Sequence, residues 1–182
     1  FLDTQNISDE ASYWHMIQTK SSPFFGTALY LGALAGGSSL EEADKLYHLG
    51  SLYGECLQIH DDLSDAFATP PNPDWLQGRI SLPILYAQVV NHPDRDRFMD
   101  LRGQIQDPGK LAEAQDILIR SGAVSYCIEC IIYKFKEAQT VLENISVQNK
   151  TILRALLDSL ISPVQDLLDK LEISYTSPSH QG

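Results

Sequence analysis

Through most of this chain apolar residues recur every three or four positions, the period of helices that share a core. Ser39, with Glu42 three residues on, makes a capping box, and Leu40, Ala43 and Leu46 begin the apolar stripe of a long helix starting near Leu40. Stepping on by three or four gives Gly50, Tyr53, Gly54, Leu57, Asp61 and Asp65, which predicts that two acids prolong the buried stripe. Asp62 lies about 100° round from Asp61, and Gln58 stands one turn before both. Gly50 and Gly54 each cost roughly 1 kcal/mol relative to alanine inside a helix, so the pair predicts close approach of a second helix.

The same signals punctuate the rest. Asp9 to Lys20 reads as a helix capped by Ser8, and Pro23 opens another that runs to Gly36-Gly37. Thr69-Pro-Pro-Asn-Pro-Asp74 must form a loop just beyond the acids. Leu82 to Val90 reads as a helix with Pro83 in its first turn. Asp107-Pro108-Gly109 reads as a turn, and Lys110 to Arg120, Ala123 to Glu143 and Asn149 to Leu171 as helices, the last containing Pro163. Tyr126, Ile131, Tyr133 and Phe135 are read as core, and residues 174–182 as a frayed tail. One helical unit over 1–182 is expected.

Three like charges within two turns repel one another and are costly to desolvate, so either their pKa values rise or cations compensate them. Magnesium suits them, because it takes oxygen ligands, commonly one or two carboxylates completed by water and phosphate oxygens. The plainer reading of Asp61-Asp62-x-x-Asp65 is a solvated acidic face, and position on the apolar stripe favours the cation site. Arg79, carried close to the acids, can fork onto a diphosphate or pair with Asp74 or Glu55. Lys20, in a helix's last turn, can simply complement the dipole.

Lys20-Ser21, the helix Phe24 to Ala35, Leu57-Gln58-Ile-His-Asp61-Asp62-Leu-Ser-Asp65 and Gly78-Arg79-Ile-Ser-Leu-Pro83 together resemble the C-terminal half of the trans-isoprenyl diphosphate synthases, the polyprenyl synthetase family. The order and spacing are similar to that family's Lys-Thr pair, Phe-Gln with the second Asp-rich motif, and Gly-Lys-x-Thr-Leu-Pro segment. The resemblance implies an all-α helical bundle of the isoprenoid synthase type and a homodimer. It implies a reaction in which an allylic diphosphate ionises, joins isopentenyl diphosphate and releases pyrophosphate. Carried over residue by residue, it places Mg2+ on Asp61 and Asp65 with Asp62 assisting directly or through water, the diphosphate on Lys20 and Arg79, and Gln58 along the substrate site. A class I terpene cyclase and a non-catalytic subunit of a heteromeric synthase are the alternatives.

The family's first Asp-rich motif is not found in these residues, so a missing N-terminal half is expected. Leu57 stands for the usual Phe, Ser21 for Thr and Arg79 for Lys. A net charge of −11 and the lack of basic stripes argue against nucleic-acid binding. No apolar run approaches the roughly 20 residues of a membrane span, and a cytoplasmic location is expected. Cys127-x-x-Cys130 lacks a second ligand pair, so it and Cys56 are read as buried thiols in preference to a zinc or redox site.

Overall fold

The computed structural model describes residues 9–147 and 149–170, with side chains to residue 165. Within that span the chain forms α1 (Glu10–Lys20), α2 (Ser22–Ala35), α3 (Leu40–Ala66), α4 (Pro73–Leu76), α5 (Leu82–Val89), α6 (Arg95–Leu101), α7 (Pro108–Arg120), α8 (Ala123–Glu143) and α9 (Thr151–Lys170), and the described residues contain no strand. None of these helices is long and apolar enough to cross a membrane. The tail from Ser174 lies outside the described residues.

Two cores organise the bundle. Tyr13 and Ile17 of α1, Leu49 and Ile59 of α3, Ile131 of α8 and Leu160 of α9 meet in the first. Phe98 and Leu101 of α6 join Leu111, Ile117 and Leu118 of α7 in the second. The short α5 lies between them, sending Leu82 and Leu85 into the first core and Ile84 and Ala87 into the second. Each fully buried leucine, isoleucine or phenylalanine among them contributes on the order of 1.5–3 kcal/mol.

The glycine signal in α3 finds its partner in α2. A Cβ on Gly50 would collide with the carbonyl oxygen of Phe25, and one on Gly26 would stand 2.7 Å from Ser51 Oγ, so each helix supplies the gap for the other. At Gly54 the neighbours are the Phe25 ring and the backbone of Ser21 and Ser22, all at the first turn of α2. Beyond that point α2 no longer covers α3.

This geometry moves the buried stripe. Leu46, Gly50 and Gly54 are buried as expected, but the stripe then continues through Cys56, Ile59, Asp62 and Ala66 under α8 and α5. Leu57 and Asp65 are half-buried and Asp61 is exposed, so the acid that points inward is Asp62. Stepping from Gly54 to Leu57 followed the flank that α2 abandons.

Smaller corrections have similarly local causes. Asp9 caps α1 where Ser8 was expected, accepting from the Ser12 N–H at 2.8 Å. Asp107 belongs to a cap rather than a free turn, since its Oδ1 accepts from Gly109 and Lys110 N–H groups at the start of α7. The proline loop closes into α4, with Asn72 accepting from the Asp74 N–H at 2.8 Å. Tyr133 is 69% exposed and not core, because the buried stripe of α8 runs through Cys127, Ile131, Phe135, Ala138 and Leu142 on another face.

Glu55 is buried on α3 and is neutralised by an ion pair with Lys134 of α8, whose ammonium also lies 4.5 Å from the Trp14 ring centroid. Lys134→Met would strand that carboxylate, and a loss of about 3–5 kcal/mol is expected in urea unfolding. Gly50→Ala should cost about 1–3 kcal/mol in the same measurement, because the contact is with backbone that cannot rotate away. Unchanged stability in Gly50→Ala would mean that α2 and α3 separate freely.

Candidate active site

The stripe buried by α3 ends on a charge. Asp62 is 7% exposed and sits where α1, α3 and the start of α5 meet. The Tyr13 hydroxyl donates to its Oδ2 at 2.7 Å, as does the Leu82 backbone N–H at 2.7 Å, and Gln58 Nε2 donates to its Oδ1 at 3.0 Å. Gln58 Oε1 in turn accepts the Ser21 hydroxyl at 2.8 Å. Burial pushes the Asp62 carboxyl above its usual range, and the hydrogen bonds oppose that shift without cancelling it. Burial first, and the neighbouring Asp62 second, raise the Tyr13 phenol well above its ordinary value.

Beside this bonded group lies a cavity of 260 Å³. Lys20 and Ser21 reach it from the α1–α2 junction, Gln58, Asp62 and Asp65 from α3, Asn72, Asp74 and Trp75 from the α4 corner, and Arg79 from the approach to α5. Lys20, Gln58, Asp62, Asp65 and Arg79 are thus brought to one space. Asp61 is not on its wall; it lies exposed one turn before Asp65, and partial burial followed by repulsion from Asp65 pushes its carboxyl up.

The charges of the wall do not favour a bare anion. Asp62, Asp65 and Asp74 outnumber Lys20 and Arg79, and Arg79 Nη1 already lies 2.9 Å from Asp74 Oδ1. That pair is about half exposed on each side, the kind of ion pair that contributes little and exchanges readily. Glu55, the other partner considered for Arg79, is held by Lys134.

Among the described residues no group of three carboxylate, histidine or cysteine ligands is placed to hold a metal unaided. Among the described residues the carboxylates of Asp61 and Asp65 accept no hydrogen bond and form no ion pair. Two open carboxylates one turn apart fit a magnesium ion that completes its shell with water and phosphate oxygens. Asp62 fits that role poorly, since both of its oxygens already accept hydrogen bonds.

The sequence profile described as Polyprenyl synthetase matches residues 1–151. The chain belongs to the polyprenyl synthetase family. It is 28% identical over 167 residues to a nonaprenyl diphosphate synthase of Mycobacterium tuberculosis, covering 87% of this chain and 50% of that protein. A geranylfarnesyl diphosphate synthase of Aeropyrum pernix is 26% identical over 174 residues, covering 91% of this chain and 54% of that protein. Among solved structures, a geranylgeranyl pyrophosphate synthase from Corynebacterium glutamicum superposes with a TM-score of 0.78 at 25% identity, covering 90% of this chain and 51% of that one. The all-α fold is therefore shared with prenyl diphosphate synthases. This family member spans about half the length of the curated relatives it matches.

Tyr13 escaped the sequence reading, although it lies about two turns before Lys20 on the same face of α1. Trp75 and Ser81 were also not singled out as site residues; their Nε1 and Oγ are buried in the cavity wall without a protein hydrogen-bond partner. The cysteines stand apart from the cavity: Cys56 and Cys127 are buried, Cys130 is half-buried, and all three are free. Burial pushes the Cys56 thiol up to about 12 and raises Cys127 and Cys130 as well. At pH 8, where an ordinary thiol with a pKa of about 8.5 is partly ionised, Cys56 and Cys127 should resist iodoacetamide and react only after denaturation. Mass spectrometry of the alkylated protein reads this directly, and rapid labelling of Cys56 in the folded state would contradict it.

Proposed function

We propose that this chain supplies the allylic-diphosphate and metal side of a prenyltransferase that condenses an allylic diphosphate with isopentenyl diphosphate and releases pyrophosphate. The observation that carries the reading is the wall of the cavity, which gathers two cations and an acidic helix end around a space too acidic to hold a diphosphate by itself. Magnesium, held by Asp61 and Asp65 with water and diphosphate oxygens completing its shell, would supply the positive charge that stabilises the departing diphosphate.

Lys20 and Arg79 both line the cavity and would take the remaining diphosphate oxygens, Arg79 as a bidentate fork once the exposed contact with Asp74 is released. Their charge acts where negative charge grows during ionisation, the largest electrostatic demand of such a step. Gln58 would line the substrate site while its amide stays tied between Ser21 and Asp62. Met16, Ile80 and Ile84 give the cavity an apolar side that would keep water from the reacting carbon.

The test is substrate dependence in the longest natural polypeptide that contains this chain. Magnesium-dependent pyrophosphate release should require both diphosphates, whereas release from the allylic substrate alone would indicate a cyclase. Asp61→Ala should lower turnover by at least about 100-fold and raise the magnesium needed for half-saturation, with the helical circular dichroism unchanged. Normal turnover with normal magnesium dependence would remove Asp61 from the site.

A further inference from the structure

We propose that Tyr13 is a positioning residue for this site: through its hydrogen bond to Asp62 it fixes the spacing between Lys20 and Arg79, so that Asp62 serves as a clamp and not as a metal ligand. The inference rests on the prenyltransferase reading and adds a residue and a division of labour to it.

The geometry is that of one anchor with three tethers. Each group bonded to Asp62 lies a short, stiff distance from a residue of the cavity wall. Tyr13 is about two turns before Lys20 on α1. The Leu82 N–H opens α5 just after Arg79. Gln58 is on the wall itself and reaches Ser21, the neighbour of Lys20. Asp62 therefore sets where the end of α1 and the approach to α5 stand relative to the acidic end of α3. A buried carboxylate with three donors is an expensive way to fill a core, and an apolar side chain there would pack without that cost. What the carboxylate adds is direction, because Oδ2 accepts from Tyr13 and Leu82 together and so joins α1 to α5 through one atom. Tyr13, wholly buried, makes no contact with the cavity and acts only through Asp62.

Calorimetric binding of inorganic pyrophosphate, with magnesium varied, separates positioning from metal binding in the same natural polypeptide. Tyr13→Phe should remain folded and weaken pyrophosphate by about tenfold or more while leaving the half-saturating magnesium unchanged. Combining it with Asp62→Asn should add little to the loss seen in Asp62→Asn alone, since both act through one group. Asp62→Asn is also an independent probe should Tyr13→Phe not fold: a clamp predicts weaker pyrophosphate binding with no rise in the half-saturating magnesium. A rise in the half-saturating magnesium in Asp62→Asn, unchanged affinity in Tyr13→Phe, or losses that simply add overturns the proposal. Wild-type protein that binds no pyrophosphate with magnesium overturns the prenyltransferase reading and this inference with it. Normal wild-type binding with an indifferent Tyr13→Phe overturns this inference alone.

Discussion

A carboxylate taken almost wholly out of water must be surrounded by donors, and at Asp62 those donors come from three separate elements. That requirement ties α1, α3 and the start of α5 at one point. The point also lies where the two cores meet, because α5 divides its side chains between them and Ala66, one turn after Asp62, belongs to the second. Apolar packing brings the helices together without specifying their rotation closely. Directed hydrogen bonds at their junction do specify it, and the cavity beside the junction inherits that definition.

Much of the helical framework was legible because capping and periodicity are local. Ser39 and the glycines of α3 announced the start of the long helix and its close neighbour, and the structure supplies α2 as that neighbour. The bounds of α8 follow from its apolar period. What could not be read was how far each neighbour extends. Whether Asp61 or Asp62 turns inward depends on where α2 stops covering α3, a fact of tertiary packing that a single helix's pattern does not contain. Tyr133 was misplaced for the same reason, since an aromatic residue on a mostly apolar helix reads as core until the covered face is known.

The candidate site was legible as a set of residues more than as an arrangement. Lys20, the Gln58, Asp62 and Asp65 group on α3, and Arg79 are separated in the chain and converge on one wall because the helix junctions bring them together. The tether from Tyr13 carried no sequence signal of its own: a tyrosine within an apolar stripe reads as packing, and only the carboxylate opposite its hydroxyl shows otherwise. Of the partners open to Arg79, the structure pairs it with Asp74.

The surplus of acid on the wall has a thermodynamic consequence through reciprocity. If a divalent ion is needed to make the space hospitable to pyrophosphate, then occupancy by pyrophosphate must tighten the ion by the same factor. The two would enter and leave as a coupled pair, and the residence of a spent leaving group would track the free concentration of the ion in the surrounding medium. A wall richer in lysine would retain such a leaving group whatever the ionic conditions; under the proposed function this one, with acids in excess of cations, would let it go as the ion departs.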